Sequence, residues 1–291
     1  MSKNKQQVFI GVLILSMLIW GMSWSSAKVM SGYGSAHVVA YIRFAIVVVV
    51  MCPYLLLTGT PIKLQGKGYL YSAGAGVLLG LYSLLFFSGL QHGFAGAGGV
   101  LVTTMNPIMA FAIGALVSRV LPNRKEFIGL FIGVVAGATL LQFWDNWEHL
   151  LDGGNKYFIL GALTWALMSK VSSKAKSFGN PLTFNLWMHI VVVVLMTITM
   201  DWSEMESLLN NADSVFWGNM LYFGIVNSTF ATACYLYATS ELGAEKASTF
   251  IFLVPVGAVF SSWIFLGEQV EWFTLVGGVL GVLAVMIINK R

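Results

Sequence analysis

Two prolines set inside long apolar runs, Pro107 and Pro255, are the first residues with chemical consequences. Neither carries a backbone N–H, so each frees the carbonyl about one helical turn earlier. In lipid, a freed carbonyl is tolerated where it lines a cavity or finds another partner. Asn106 beside Pro107, with Thr103 and Thr104 one turn back, adds side-chain polarity at the same depth. Asn227, Ser228, Thr229 and Thr232 form a second polar group within another apolar stretch. Lipid-facing amides are costly, so both groups are expected to face a bundle interior, as cavity lining or as glue between helices. Trp20, Trp24, Tyr82, Phe86, Trp165 and Tyr235 fall at comparable depths, and such rings wall a cavity, stack on a solute or cover a cation. Arg43 lies about five residues, roughly 7.5 Å, inside its apolar run. Two readings of it stand: a snorkelling anchor, or a guanidinium that orients a carboxylate. All of this is the chemistry of binding and release.

The parts needed for making and breaking bonds are missing. The chain has no Gly-x-Ser-x-Gly, no His-Glu-x-x-His and no intramembrane acid to orient a histidine, so an enzyme is not expected. All 12 acids fall in loops or at the ends of apolar runs, which leaves no buried carboxylate as a proton relay. Facilitated diffusion or solute exchange is therefore the expected mode, with His189 and His92 as the fallback proton carriers. Cys52 and Cys234 read as free packing thiols. No spacing resembles a metal site, and no cofactor is expected.

The elements that position these residues are membrane helices. Of 291 residues, 57% are hydrophobic and 10% charged, with a mean hydropathy of +0.80, against roughly 25% charged in a soluble domain. Apolar stretches near 8–30, 38–57, 69–91, 94–117, 126–143, 157–174, 182–200, 215–239, 246–267 and 272–289 predict ten spans joined by short loops. The charges support this layout. With the N-terminus inside, the inner segments hold 13 of the 16 basic residues and three acids, a net of +10; the outer ones hold Lys156 and nine acids, a net of −8. Lys28 and Arg43 fall within the spans. An uncleaved first helix with both termini cytoplasmic follows. Trp144, Trp147, Trp202, Trp217 and Trp272 then form an outer aromatic belt. A net charge of +4 divided between two faces gives nucleic-acid binding no support.

The two halves also echo one another. Leu90-Gln91-His92-Gly93, followed by Pro107, resembles Glu241-Leu242-Gly243, followed by Pro255; Gly133 and Gly137 match Gly277 and Gly281; Trp20-Gly21 matches Trp165-Ala166. Five spans per half turn the second copy upside down, giving repeats over 1–150 and 151–291. Glycines at spacing four let helices approach closely and leave a homodimer open without requiring it.

Leu18 to Lys28, Tyr41-Ile42-Arg43-Phe44, the stretch from Leu236 through Gly243-Ala244-Glu245-Lys246-Ala247-Ser248 to Pro255, and Phe265-Leu266-Gly267-Glu268 carry a resemblance. Over nearly its whole length the chain resembles the drug/metabolite transporter superfamily in its ten-span, EamA-like form. That resemblance implies an all-α polytopic carrier of small organic solutes in a bacterial inner membrane, with alternating access around a central cavity between inverted repeats. An exporter of amino acids or related amphipathic solutes is the first expectation. A nucleotide-sugar or phosphorylated-solute exchanger is the second, and a receptor or enzyme the last. Trp20, Trp24, Arg43, Tyr82, Asn106, Trp165, Asn227 and Tyr235 are the candidate solute contacts, with Pro107 and Pro255 the candidate helix breaks. The first half departs from the family pattern, having Arg119-Val120-Leu121-Pro122-Asn123-Arg124 where a partner for Glu268 would fall.

Overall fold

The computed structural model describes residues 3–118, 123–142, 144, 153–172, 174–232, 234–235, 250 and 253–289. Trp147, the Arg119–Pro122 connection and the Leu236–Ser248 stretch, including Glu241-Leu242-Gly243, lie outside these. The helices are α1 (Lys3–Met30), α2 (Ala36–Leu57), α3 (Gly68–His92), α4 (Ala95–Ser118), α5 (Arg124–Leu140), α6 (Asn155–Ser172), α7 (Pro181–Ile198), α8 (Trp202–Asn211), α9 (Ser214–Leu221), α10 (Leu253–Leu266) and α11 (Trp272–Asn289). All ten predicted spans carry helix, and the protein is an all-α polytopic membrane protein. Among the described residues, five helices are long and apolar enough to cross a bilayer. Leu57, Leu116, Ile198 and Phe131 stand exposed on the bundle exterior, where a water-soluble fold would carry charge.

Local chemistry sets the helix starts. Ser35 caps α2 by accepting from the Val38 N–H, and Asn123 and Glu126 form a reciprocal capping box on α5. Asn180 caps α7, with Pro181 in the first turn, where its missing N–H costs nothing. Asp201 and Asp213 cap α8 and α9.

Two features differ from the sequence reading. The acidic stretch after α7, expected as a loop, contains α8, a short helix that buries Met205 and Leu208 and leaves its acids in solvent. Ten residues are too few to cross a membrane but enough for one apolar edge. The second feature is the winding of the eighth span. α9 continues through Tyr222–Ala231 as a wider helix in which each residue bonds to the fifth before it. The Thr229 and Thr232 hydroxyls follow the same step, donating to the Gly224 and Asn227 carbonyls.

The most extensive helix pairings come in matched sets under exchange of the halves. α1 packs on α10 as α6 packs on α4; α3 packs on α6 as the α9 span packs on α1; α3 packs on α7 as the α9 span packs on α2. The pairs α2–α7, α4–α10 and α5–α11 are their own counterparts. The α1–α10 crossing is very close: a Cβ on Gly21 would lie 2.6 Å from the Gly257 Cα. The Ser25 and Ser261 hydroxyls meet at 2.7 Å one turn further along.

Candidate functional site

Arg43 sits two turns into α2, about 10 Å from the helix start. It is 8% exposed, so it does not reach back to the surface as an anchoring arginine would. Its Nη1 and Nη2 lie 3.5 Å from the Ser83 and Ser228 hydroxyls, and its guanidinium lies over the rings of Phe223 (4.4 Å) and Phe44 (5.0 Å). Its Nε–H, also buried, has no acceptor. Among the described residues the side chain meets hydroxyls and rings and no carboxylate. Contacts at 3.5 Å are the limit of a hydrogen bond, and a buried arginine otherwise ends on an anion. The arrangement is therefore short of one negative charge.

Aromatic rings continue from this point. Phe86 lies 6.2 Å from Phe223, 4.7 Å from Trp24 and 5.8 Å from Tyr82, and Tyr82 meets Trp165 edge-on at 4.7 Å. The structure thus links Trp24, Arg43, Tyr82 and Trp165 through Phe86 and Phe223. It places Trp20 and Tyr235 together elsewhere, 5.2 Å apart, with Tyr235 beside a small separate cluster around Phe9 and Leu13. Asn227 is 7% exposed, on the turn of the widened helix that faces Arg43, and its Oδ1 has no hydrogen-bond donor. Asn106 is half-buried on α4.

Both prolines lie within helices. α4 runs on through Pro107 from Ala95 to Ser118, so the backbone is not interrupted there, and Pro255 is buried within α10.

Lys28 is engaged apart from the Arg43 cluster. Its Nζ donates to the Leu90 and Gly93 carbonyls, the exposed negative end of α3, and it feels the charge of Glu268. Glu268 itself spans the start of α4, with its two oxygens accepting from the Ala95 and Gly96 N–H groups at 2.8 Å each. Gly267, at φ 66°, makes the left-handed turn that aims this carboxylate. The corner between α3 and α4 is thus held at its negative end by a cation and at its positive end by an anion.

A cleft of about 330 Å³ opens between α1, α9 and α10, lined by Met22, Ser25, Ser26, Asn219, Tyr222 and Phe265 among others. Its hydroxyls are already engaged: Ser25 with Ser261, Ser26 with the Asn219 carbonyl and Tyr222 with the Ile19 carbonyl. None of the predicted contacts lines it.

Sequence reasoning missed Ser83, Phe44 and Phe223. Ser83 carried no signal beside Tyr82, Phe44 entered only as part of the Tyr41-Ile42-Arg43-Phe44 resemblance, and Phe223 was one phenylalanine among 20. It placed Lys28 within a span without its partners, because the carbonyls that hold it belong to a corner 62 and 65 residues away.

A helical bundle with an apolar exterior and a buried, partly satisfied polar centre is the architecture of a polytopic membrane protein. The chain belongs to the EamA-like transporter family, which it matches twice, over residues 8–142 and 153–290. It is 24% identical to the uncharacterised transporter YyaM of Bacillus subtilis, over 95% of this chain and 92% of that one. It is 20% identical to a probable amino-acid metabolite efflux pump of Salmonella typhimurium, over 98% and 95%. A probable terminal-alkyne amino-acid exporter of Streptantibioticus cattleyicolor is 34% identical over 71 residues, 24% of each chain. One protein of known crystal structure shares the fold with a TM-score of 0.61 at 14% identity, covering 98% of this chain and 96% of that one.

Proposed function

We propose that this transporter exports amino acids or related amphipathic solutes across a bacterial inner membrane by alternating access, with Arg43 receiving the solute carboxylate. The observation that carries the reading is the buried guanidinium that, among the described residues, meets hydroxyls and rings but no acid. A solute carboxylate supplies the missing charge, and the rings around it suit an apolar side chain. Two inverted repeats, 1–150 and 151–291, with both termini cytoplasmic, give the machine its two access states; the matched helix pairings support this. The lack of any acid inside the predicted spans favours exchange or downhill flow over proton coupling. The names of the Salmonella and Streptantibioticus relatives point the same way. A phosphorylated solute or nucleotide sugar asks for more positive charge than one guanidinium, and Lys28 is committed to the α3 carbonyls.

The test is release of a mixed pool of amino acids, sugars and nucleotides from proteoliposomes, read by mass spectrometry. Wild type should release a subset of amino acids. Arg43→Gln, which removes a charge-assisted contact of about 2–4 kcal/mol, should slow that release by roughly 30- to 1,000-fold. Equal transport of an acid and its neutral amide, unchanged by Arg43→Gln, would defeat the proposal.

A further inference from the structure

Among the described residues, three buried side-chain atoms lack a hydrogen-bond partner: Arg43 Nε, Asn227 Oδ1 and Ser172 Oγ. A buried polar atom left unpaired costs free energy and calls for a cause. The first two are of opposite kind, one donor and one acceptor, and they sit on helices packed face to face. A Cβ on Gly224 would touch Ile46 and lie 3.9 Å from the Arg43 carbonyl, while the Ser228 hydroxyl meets the Arg43 guanidinium.

The wide winding of Tyr222–Ala231 explains how Asn227 joins this group. In an ordinary helix a residue five positions on points about 140° away, which would send Ser228 to the opposite side from Phe223. Where each residue bonds to the fifth before it, residues four and five apart flank the same line. Phe223, Asn227 and Ser228 therefore share one face, and all three are buried. Phe223 and Ser228 from that face contact Arg43. Asn227 stands beside them with an unused carbonyl oxygen.

We infer that Asn227 selects for an ammonium group: its Oδ1 accepts from the α-ammonium of a solute whose carboxylate lies on Arg43, so that the substrates are α-amino acids with large apolar or aromatic side chains. The inference rests on the carboxylate role of Arg43 proposed above. A donor and an acceptor on adjacent helices match the two ends of a zwitterion, and the rings of Phe86, Tyr82 and Trp165 supply the wall for its side chain. A carboxylate without an amine would leave the Asn227 oxygen unpaired, which is the stronger form of discrimination available to a binding site.

The experiment compares efflux of L-phenylalanine and 3-phenylpropionate from proteoliposomes containing wild type, Asn227→Leu, Asn227→Asp and Arg43→Gln. Wild type should prefer phenylalanine by at least about tenfold. Asn227→Leu should remove that preference by slowing phenylalanine about 10- to 100-fold while leaving phenylpropionate unchanged, which also reports that the variant is folded. Asn227→Asp, which keeps an acceptor but places a carboxylate beside Arg43, should slow both solutes by competing for the guanidinium, as Arg43→Gln should by removing it. Equal wild-type transport of the two solutes, or an equal loss of both in Asn227→Leu, would overturn the role of Asn227 while leaving that of Arg43 intact. Transport of neither solute by wild type, or indifference of both to Arg43→Gln, would instead remove the carboxylate reading on which it rests.

Discussion

Replacing Glu268 by Gln should unfasten the corner between α3 and α4. The carboxylate accepts two backbone N–H groups at 2.8 Å and lies on the positive end of α4. Hydrogen bonds to an ionised acceptor contribute about 1.5–3 kcal/mol each, and neutral ones about half as much. A glutamine keeps one carbonyl acceptor and turns its NH2 towards the other N–H, so one bond weakens and one is lost. The helix-end charge interaction, about 0.3–1 kcal/mol at an exposed terminus, goes as well. Together the loss is about 2.5–5.5 kcal/mol. At about 2–4 °C per kcal/mol for a chain of this order of size, the unfolding temperature in mild detergent should fall by roughly 5–20 °C. Amide exchange at Ala95 and Gly96 should accelerate with it, and Lys28→Met in the Glu268→Gln background should add less than it costs alone, because both charges hold one corner. A thermal shift below 1 °C with unchanged exchange at Ala95 and Gly96 would refute the reasoning.

Two further perturbations bear on other parts of the fold. Gly21→Val places its side chain within 3 Å of the Gly257 backbone and the Val254 carbonyl, so it should separate α1 from α10 and abolish transport; Gly11→Val, where nothing lies within 4 Å, serves as the control in the same efflux assay. The contact between Tyr33 and Asp213 should break at both pH extremes. The Phe216 N–H and the Tyr33 hydroxyl hold the Asp213 carboxyl below its usual range, so its stabilising effect is complete above the ordinary carboxylate pKa of 3.8 and is lost as pH falls through the lower folded value. The same bond to Asp213 raises the Tyr33 phenol, whose contribution is complete below pH 10.0 and is lost as pH rises through the higher folded value. Amide exchange at Phe216, flat from pH 5 to 9 after correction for intrinsic rate and accelerated outside that window, is the expected record, and Asp213→Asn should abolish the acid limb.

The all-α, membrane-embedded character of the chain was legible because apolar length is written directly into the sequence and does not depend on how helices meet. Trp24, Arg43, Tyr82, Trp165 and Asn227 were legible as residues out of place in their surroundings. Their grouping was not, since that depends on which helix faces share a seam. Asn227 and Ser228 illustrate the gap. As neighbours in sequence they point different ways on an ordinary helix, and only the widened winding of Tyr222–Ala231 lets both flank Phe223. Nothing in Tyr222-Phe223-Gly224-Ile225-Val226-Asn227 announces that winding. α8 was hidden for another reason: with four acids between 201 and 213, polarity outweighed the two-residue apolar edge of Met205 and Leu208.

The Glu268 contact also sets an order of events in biogenesis. The groups it joins are separated by 172 and 173 residues of chain. At translation rates of roughly 5–20 residues per second, the start of α4 emerges and enters the bilayer about 9–35 s before its carboxylate is made. During that interval the first two N–H groups of α4 must be held by water, lipid headgroups or the insertion machinery. A nascent chain stalled before codon 268 should therefore expose the α3–α4 corner to protease, and release of the stall should protect it.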